Sequence, residues 1–282
     1  MPAGSNSLPH PVRRKRIPVR MLQALIIGYA LLLLVVALFQ RRLIYFPTKL
    51  NATAAQAVAA QRGFTAWYGA DDRMIGWKMV AKVPPVGSVL IAHGNAGCAL
   101  DRDYFARPIH DATPLDVHVL EYPGYGVNEG APSQKSFLTA SEIALEALPK
   151  EAPVYLVSES LGAGVVAHLA KKYPQRIKGM ALFVPYDDLG SVGQAAMPFL
   201  PVKLLMRDRF LPARWLADYR GPIKVVLAGA DEVIPTRFGQ RLFDGYRGRK
   251  SLEVIVNARH NEVAEQSTEW WQQVLGFWQN VD

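Results

Sequence analysis

Short apolar runs alternate with longer segments of mixed polarity from about residue 64 to the C-terminus. Six runs have the composition of β-strands: SVLIAH (88–93), VHVLEYP (117–123), VYLVS (154–158), GMALFVP (179–185), KVVLAGA (224–230) and LEVIVNA (252–258). They are almost wholly apolar, which is typical of parallel strands covered on both faces. Strands that alternate with helices indicate βαβ units. The pattern therefore predicts an α/β fold with a mostly parallel central sheet and helices on both faces.

The segments between these runs have helical character. Ser133 is a suitable N-cap for a helix within APSQKSFLTASEIALEALPK. A second helix is predicted from Leu161 to Lys172, and the last from roughly Glu265 to Asn280. Residues 186–221 break the alternation and are rich in Met, Phe, Leu and Pro. This insertion is interpreted either as a lid over a pocket or as ordinary helical packing on the sheet.

A separate apolar segment, Met21 to Phe39, precedes the alternating region. Its 19 residues contain no charge, and at a rise of about 1.5 Å per residue they come close to spanning a hydrocarbon core of about 30 Å. A cleaved signal peptide is the alternative, but its apolar region is usually about 7 to 15 residues long. Gln40, Arg41 and Arg42 also form a poor cleavage context. We therefore expect a single-pass transmembrane anchor at residues 21–40.

The charge distribution supports this division of the chain. Eight of the 32 basic residues lie within residues 1–51, which contain no Asp or Glu, so the remaining 24 balance the 24 acidic residues. A basic cluster beside an apolar segment fits anionic lipid headgroups better than nucleic acid. We predict a basic tail (1–20), the anchor and a catalytic domain (41–282). More basic residues precede the anchor than follow it closely, which places the domain on the non-cytoplasmic side.

The stretch VSESLGAG (157–164) contains the first candidate for chemistry. It follows a predicted strand and precedes a predicted helix, where a serine nucleophile would stand on a sharp turn with small neighbours. Ser160 occupies the apex of that turn. Ser158 replaces the first glycine of the G-x-S-x-G pattern and would lie inside the strand end. The alternative is a plain polar loop between a strand and a helix.

A nucleophilic serine needs a base and an acid to orient it. Of the six histidines, His260 follows the last predicted strand and can reach the edge of the sheet at which Ser160 stands. Asp231 follows the preceding predicted strand and lies at the same edge. The weaker alternatives for the acid are Glu232, Asp187 and Asp188.

The reaction also needs donors for an oxyanion. One should be the backbone N–H of the residue after the nucleophile, Leu161. The other is expected in the loop IAHGNAG, where Asn95 is the first choice and Ala96 the second. His93 is interpreted as organising this loop, with no role as a base.

Six motifs follow one another from residue 41 onward: RRLIYFP, HGNAG, EYPGYGVNEGAPS, SESLGAG, GADEVIP and NARHNEV. In this order they resemble the α/β-hydrolase superfamily, and more narrowly its membrane-anchored, lysophospholipase-like or serine-aminopeptidase-like members. The resemblance implies the α/β-hydrolase fold, with Ser160, Asp231 and His260 as triad and Asn95 and Leu161 as oxyanion donors. Ser158 and Asn128 depart from the family pattern, although neither change removes a catalytic group.

We therefore expect a serine hydrolase that cleaves a carboxylic ester or thioester, with a small-molecule or lipid-like acyl substrate and no metal or organic cofactor. Membrane location is the reason to favour an acyl substrate from the lipid surface. Two alternatives remain: a peptidase of the serine-aminopeptidase type, and a catalytically silent, membrane-tethered binding protein. The sequence leaves the oligomeric state open.

Overall fold

The computed structural model describes residues 18–280. The predicted basic tail therefore lies outside the described residues, except for residues 18–20. The chain divides into two compact units, one ending at Phe39 and the other beginning at Gln40.

The first unit is helical. Helix α1 runs from Val19 to Ile44, so it extends beyond the predicted segment at both ends. It contains an 18-residue window with a mean hydropathy of 2.6, none of it buried. The helix meets the length and hydropathy requirements of a membrane span, which a signal sequence near the N-terminus also meets.

The second unit is built on an eight-stranded sheet. Its strands are β2 (Thr65–Tyr68), β3 (Met74–Met79), β4 (Ser88–Ala92), β6 (Asp116–Leu120), β7 (Val154–Glu159), β8 (Ile177–Phe183), β9 (Ile223–Ala228) and β10 (Lys250–Ile255). Their order is β10-β9-β8-β7-β4-β6-β3-β2. β2 and β3 pair antiparallel, as do β3 and β6, and the other pairs are parallel. β1 (Phe46–Pro47) and β5 (Ala96–Gly97) form a separate parallel pair.

All six predicted strands are confirmed as β4 and β6 to β10. β2 and β3 lie at one end of the sheet and were missed. β2 has a single buried residue among exposed and half-exposed ones, and β3 contains Gly76 and Lys78. Such short, mixed segments (TAWY and MIGWKM) lack the continuous apolar run of a central strand.

Helices cover the sheet on both faces. They are α2 (Ala52–Arg62), α3 (Asp103–Ala112), α4 (Gln134–Glu146), α5 (Gly162–Lys172), α6 (Leu189–Ala196), α7 (Val202–Leu205), α8 (Pro212–Trp215), α9 (Arg237–Gly245) and α10 (Thr268–Gln279), with a 3₁₀ turn at Ala99–Arg102. The Ser133 side chain accepts the N–H of Ser136 at 3.0 Å, which confirms the predicted N-cap of α4. α10 begins later than predicted, because Ser267 caps it.

The buried side chains form two clusters, one on each face of the sheet. In β4, Leu90 belongs to the cluster that includes α4 and α5, whereas Val89 and Ile91 belong to the cluster that includes α3 and α10. Successive residues of a strand point to opposite faces, so a single strand contributes to both cores. This is why the central strands are almost wholly apolar.

The insertion at 186–221 forms α6, α7 and α8 and packs on residues 40–45 through a polar cluster around the buried Asp208. Arg41 Nε lies 2.9 Å from Asp208 Oδ2 and its Nη2 lies 3.2 Å from Oδ1. The Tyr45 hydroxyl donates to Asp208 at 3.0 Å. Gln40 adds bonds to Leu205 and Arg207. The insertion is therefore tied to residues 40–45, and its role as a lid stays a prediction.

Candidate active site

The turn between β7 and α5 presents Ser160 above the sheet. Ser160 has a φ of 50°, a left-handed conformation that side chains other than glycine rarely adopt. Its backbone N–H donates to the carbonyl of Phe183 at 2.9 Å, which holds the turn on the neighbouring strand. Gly162 follows, and a Cβ there would overlap the carbonyl oxygen of Ala92. The close approach of helix and strand thus requires a glycine at 162.

Ser160, His260 and Asp231 lie together, as the sequence predicts. Ser160 Oγ is 3.1 Å from His260 Nε2, and His260 Nδ1 is 3.0 and 2.8 Å from the two carboxylate oxygens of Asp231. An ionised carboxylate only accepts hydrogen bonds, so Nδ1–H is the donor and Nε2 is free to accept the serine proton. Asp231 is itself held by the N–H groups of Val233 at 2.9 Å and Ile234 at 2.7 Å.

The alternative acids have other partners. Asp187 pairs with Arg241 at 2.7 Å, and the Asp188 side chain accepts the N–H of Gly190 at the start of α6. Glu232 accepts the backbone N–H of His260 at 3.4 Å, so it contacts the histidine but not its ring. These contacts are those of ion pairs, caps and loops.

Ser158 lies inside β7 and is fully buried. Its hydroxyl finds no hydrogen-bond partner within residues 18–280. The serine in place of glycine is therefore accommodated in the strand end at the cost of an unsatisfied buried hydroxyl, and it does not reach the surface.

The loop at residues 93–98 contains the predicted oxyanion donor. The Asn95 carbonyl accepts from the Tyr125 hydroxyl at 2.6 Å and from the Phe46 N–H at 2.9 Å, and its side-chain amide donates to Ile44. Within residues 18–280 these bonds use the carbonyl and the side chain of Asn95, so its backbone N–H remains available. The predicted candidate at 96 is exposed and lies in β5.

His93 fixes the direction of that N–H. His93 Nδ1 bonds the carbonyl of Gly94 at 2.8 Å, and this carbonyl shares a peptide plane with the N–H of Asn95. Complete burial keeps the pKa of His93 well below its usual value, so the ring is neutral. The geometry agrees with the loop-organising role expected for His93.

A cavity of about 420 Å³ opens beside Ser160 and His260. Its other lining residues are Gly94, Asn95, Ala96, Gly97, Arg102, Tyr104, Glu159, Val233, Asn261, Ala264 and Glu265. None of them belongs to the insertion at 186–221. Within the described residues there is no group of three or more His, Cys, Asp or Glu side chains arranged to hold a metal ion.

The cavity residues that sequence reasoning missed include Arg102, Tyr104 and Glu159. Glu159 carried a signal, because a charged residue stands between two serines at the end of an apolar strand. Arg102 and Tyr104 follow the oxyanion loop in ALDRDY and carried none. Only the folded chain brings them against Glu159.

Comparison with known proteins decides the family. Residues 87–214 match the family model described as alpha/beta hydrolase fold. An uncharacterised protein of Mycobacterium tuberculosis is 30% identical over 230 residues, which cover 79% of this chain and 81% of that protein. The chain belongs to the α/β-hydrolase superfamily. The contacts among Ser160, His260 and Asp231 thus occur in a chain of this superfamily.

Solved α/β-hydrolase structures share the fold. Est1E of Butyrivibrio proteoclasticus, with ferulic acid bound, has a TM-score of 0.61 and 15% identity, over 75% of this chain and 98% of that one. A monoacylglycerol lipase of Paleococcus ferrophilus has a TM-score of 0.54 and 18% identity, over 71% of this chain and 96% of that one. The chain therefore shares the α/β-hydrolase fold of these structures.

Proposed function

We propose that this α/β-hydrolase is a membrane-anchored serine hydrolase that cleaves carboxylic esters or thioesters through an acyl-enzyme on Ser160. The observation that supports this most strongly is the continuous chain of contacts from Ser160 Oγ to His260 Nε2 at 3.1 Å and from His260 Nδ1 to Asp231 at 2.8 Å. These distances are those of a nucleophile, a general base and an orienting acid.

In the first half-reaction Ser160 Oγ attacks the carbonyl carbon of the substrate while His260 Nε2 takes the hydroxyl proton. The resulting imidazolium faces the Asp231 carboxylate, which stabilises its charge and holds the tautomer. His260 then returns the proton to the leaving oxygen or sulfur as the carbonyl re-forms. The products of this step are an alcohol or thiol and an ester on Ser160.

In the second half-reaction water replaces the leaving group. His260 takes a proton from the water, the hydroxide attacks the acyl carbon, and Ser160 leaves with the proton from the imidazolium. The backbone N–H groups of Asn95 and Leu161 are assigned to the oxyanion of both tetrahedral intermediates. Oxyanion donors of this kind are usually the largest single catalytic contribution, with one donor worth about 10² to 10³ in kcat.

An ester or thioester is favoured over an amide by two considerations. The solved relatives of similar fold include an esterase with ferulic acid bound and a monoacylglycerol lipase. The apolar helix α1, if it anchors the chain, keeps the site near a source of acyl lipids. A catalytically silent binding protein would need no such alignment of Ser160, His260 and Asp231, which is the reason to prefer turnover.

Labelling with a fluorescent fluorophosphonate tests the proposal, because the probe reacts with activated serines. The detergent-solubilised full chain should be labelled, and Ser160→Ala should not. Ser158→Ala is the matched control, because Ser158 lies two residues before Ser160 and is buried inside β7, and this variant should be labelled like the wild type. A well-folded wild type that resists the probe, or a labelled Ser160→Ala variant, would refute the assignment.

A further inference from the structure

A buried ion pair lies directly behind the nucleophile. Glu159 is the last residue of β7 and precedes Ser160, and its carboxylate is 3.0 Å from Arg102 Nε. The Arg102 Nε–H is not directed at the carboxylate, so the contact is an ion pair rather than a hydrogen bond. Tyr104 donates its hydroxyl to the other oxygen of Glu159 at 2.9 Å. The side chains of Arg102 and Glu159 are only 9% and 10% exposed.

Both members of this pair hold the loop that contains Asn95. The Gly94 N–H donates to Glu159 Oε2 at 3.3 Å, and Arg102 Nη2 donates to the Ala96 carbonyl at 2.8 Å. The loop is thus bonded on the residue before Asn95 and on the residue after it. Because Glu159 is covalently joined to Ser160, the same carboxylate connects the nucleophile turn to the oxyanion loop.

Two nitrogens of the Arg102 guanidinium donate to the backbone of the chain itself. Nη2 donates to the Ala96 carbonyl at 2.8 Å, and Nη1 lies 3.5 Å from the carbonyl of Cys98. A guanidinium held in this way beside the Glu159 carboxylate is poorly placed to recognise a substrate anion. The arrangement fits a group that holds the site rather than one that binds the ligand.

We propose that Glu159 and Arg102 are positioning residues, which fix the distance between Ser160 and the backbone N–H of Asn95. The proposal rests on the serine hydrolase mechanism above. Loss of the pair leaves the nucleophile and its base intact but lets the donor move away from the developing oxyanion. A misplacement on the order of 1 Å can cost about 10²-fold in rate. The effect therefore belongs in kcat, since the oxyanion exists only in the transition state and intermediates.

The fold contains a matched control for this test. Asp208 is also a buried carboxylate that pairs with an arginine, Arg41, and accepts a tyrosine hydroxyl, from Tyr45. It lines no part of the cavity beside Ser160. Asp208→Asn thus removes the same kind of interaction without touching the oxyanion loop.

The experiment compares the full chain in detergent with Glu159→Gln, Arg102→Met, the double variant and Asp208→Asn, using p-nitrophenyl acetate as substrate. We expect Glu159→Gln and Arg102→Met each to lower kcat by about 10- to 100-fold, with KM changed by less than about 3-fold. The kcat of the double variant should lie within about 3-fold of the kcat of the less active single variant, because both substitutions remove one and the same interaction. Asp208→Asn should keep kcat within about 2-fold while its Tm falls.

Three results would overturn the proposal: an unchanged kcat in both single variants, a loss that appears in KM, or an equal loss of kcat in Asp208→Asn. If Glu159→Gln does not fold, Tyr104→Phe and Arg102→Lys replace it, and wild-type kcat in both refutes the pair's role. If the wild type neither turns over the substrate nor is labelled at Ser160 by the fluorophosphonate, both the hydrolase mechanism and this proposal are refuted. Turnover that needs Ser160 but not Glu159 refutes only this proposal.

Discussion

The α-carbon of Gly162, two residues after Ser160, packs against the carbonyl oxygen of Ala92. Gly162→Ala is expected to destabilise the fold by about 1 to 3 kcal/mol, because the new methyl group forces helix α5 away from β4. Urea unfolding in detergent measures the loss. Gly276→Ala in α10 is the control, since a Cβ there meets open space, and it should raise stability by up to about 1 kcal/mol. Equal effects of the two substitutions would contradict the close packing.

Asp231 should matter for the rate far more than for stability. Asp231→Asn retains an oxygen for the N–H groups of Val233 and Ile234, but its amide no longer favours the tautomer with the proton on His260 Nδ1. We expect kcat to fall by about 10⁴-fold, the loss that the same substitution causes in a Ser-His-Asp triad. Glu232→Gln is the control, because Glu232 contacts only the histidine backbone, and its rate should stay within a few fold. Comparable losses in both variants would argue against Asp231 as the orienting acid.

The Asp208 cluster should contribute to stability. Asp208→Asn leaves Arg41 without its ion pair, although Arg41 is half exposed and water partly compensates. We expect a loss of about 1 to 3 kcal/mol in the free energy of unfolding, in the range for hydrogen bonds to charged groups. Asp71→Asn removes an ion pair with Arg73 that is exposed on both sides and should change nothing measurable. An unchanged free energy of unfolding in Asp208→Asn would show that the cluster does not stabilise the insertion.

Glu121 should make stability depend on pH. Burial raises the pKa of Glu121 to about 8 from its usual 4.5, with His93, Asp101 and Arg102 as neighbouring ionisable groups. Between these two values the folded chain binds a proton that the unfolded chain releases. The free energy of unfolding therefore falls as pH rises through this window, by up to about 1.4 kcal/mol per pH unit, and levels off above pH 8.

Glu121→Gln has no ionisable carboxyl at this position, so its free energy of unfolding should lack the pH dependence that Glu121 contributes. Urea unfolding at pH 5, about 6.5 and about 8.5 would show a smaller loss of stability in the variant than in the wild type. Glu129→Gln alters an exposed carboxyl and should follow the wild type. Parallel curves for wild type and Glu121→Gln would mean that the buried carboxyl is ionised in the folded chain.

Local pattern was enough to predict the central sheet and the order of the proposed triad. Parallel strands covered on both faces are almost wholly apolar and can be recognised in the sequence. Residues at their carboxyl ends meet at one edge of the sheet, so the sequence alone could place Ser160, Asp231 and His260 together. Glu159 and Arg102 could not, because 57 residues separate them along the chain and their pairing depends on how the 3₁₀ turn packs on β7. The outer strands β2 and β3 were missed for a related reason. β3 pairs with β6 and β2 pairs with β3, and this pairing stabilises sequences that have weak strand character of their own.

Ser160 holds its backbone at a φ of 50°, where a glycine would incur no steric cost. The residue that most favours this turn is thus one without a hydroxyl. Stability of the turn therefore favours glycine at position 160, whereas the proposed reaction requires the serine hydroxyl. A strained serine at this position supports the proposed catalytic role over a purely structural one.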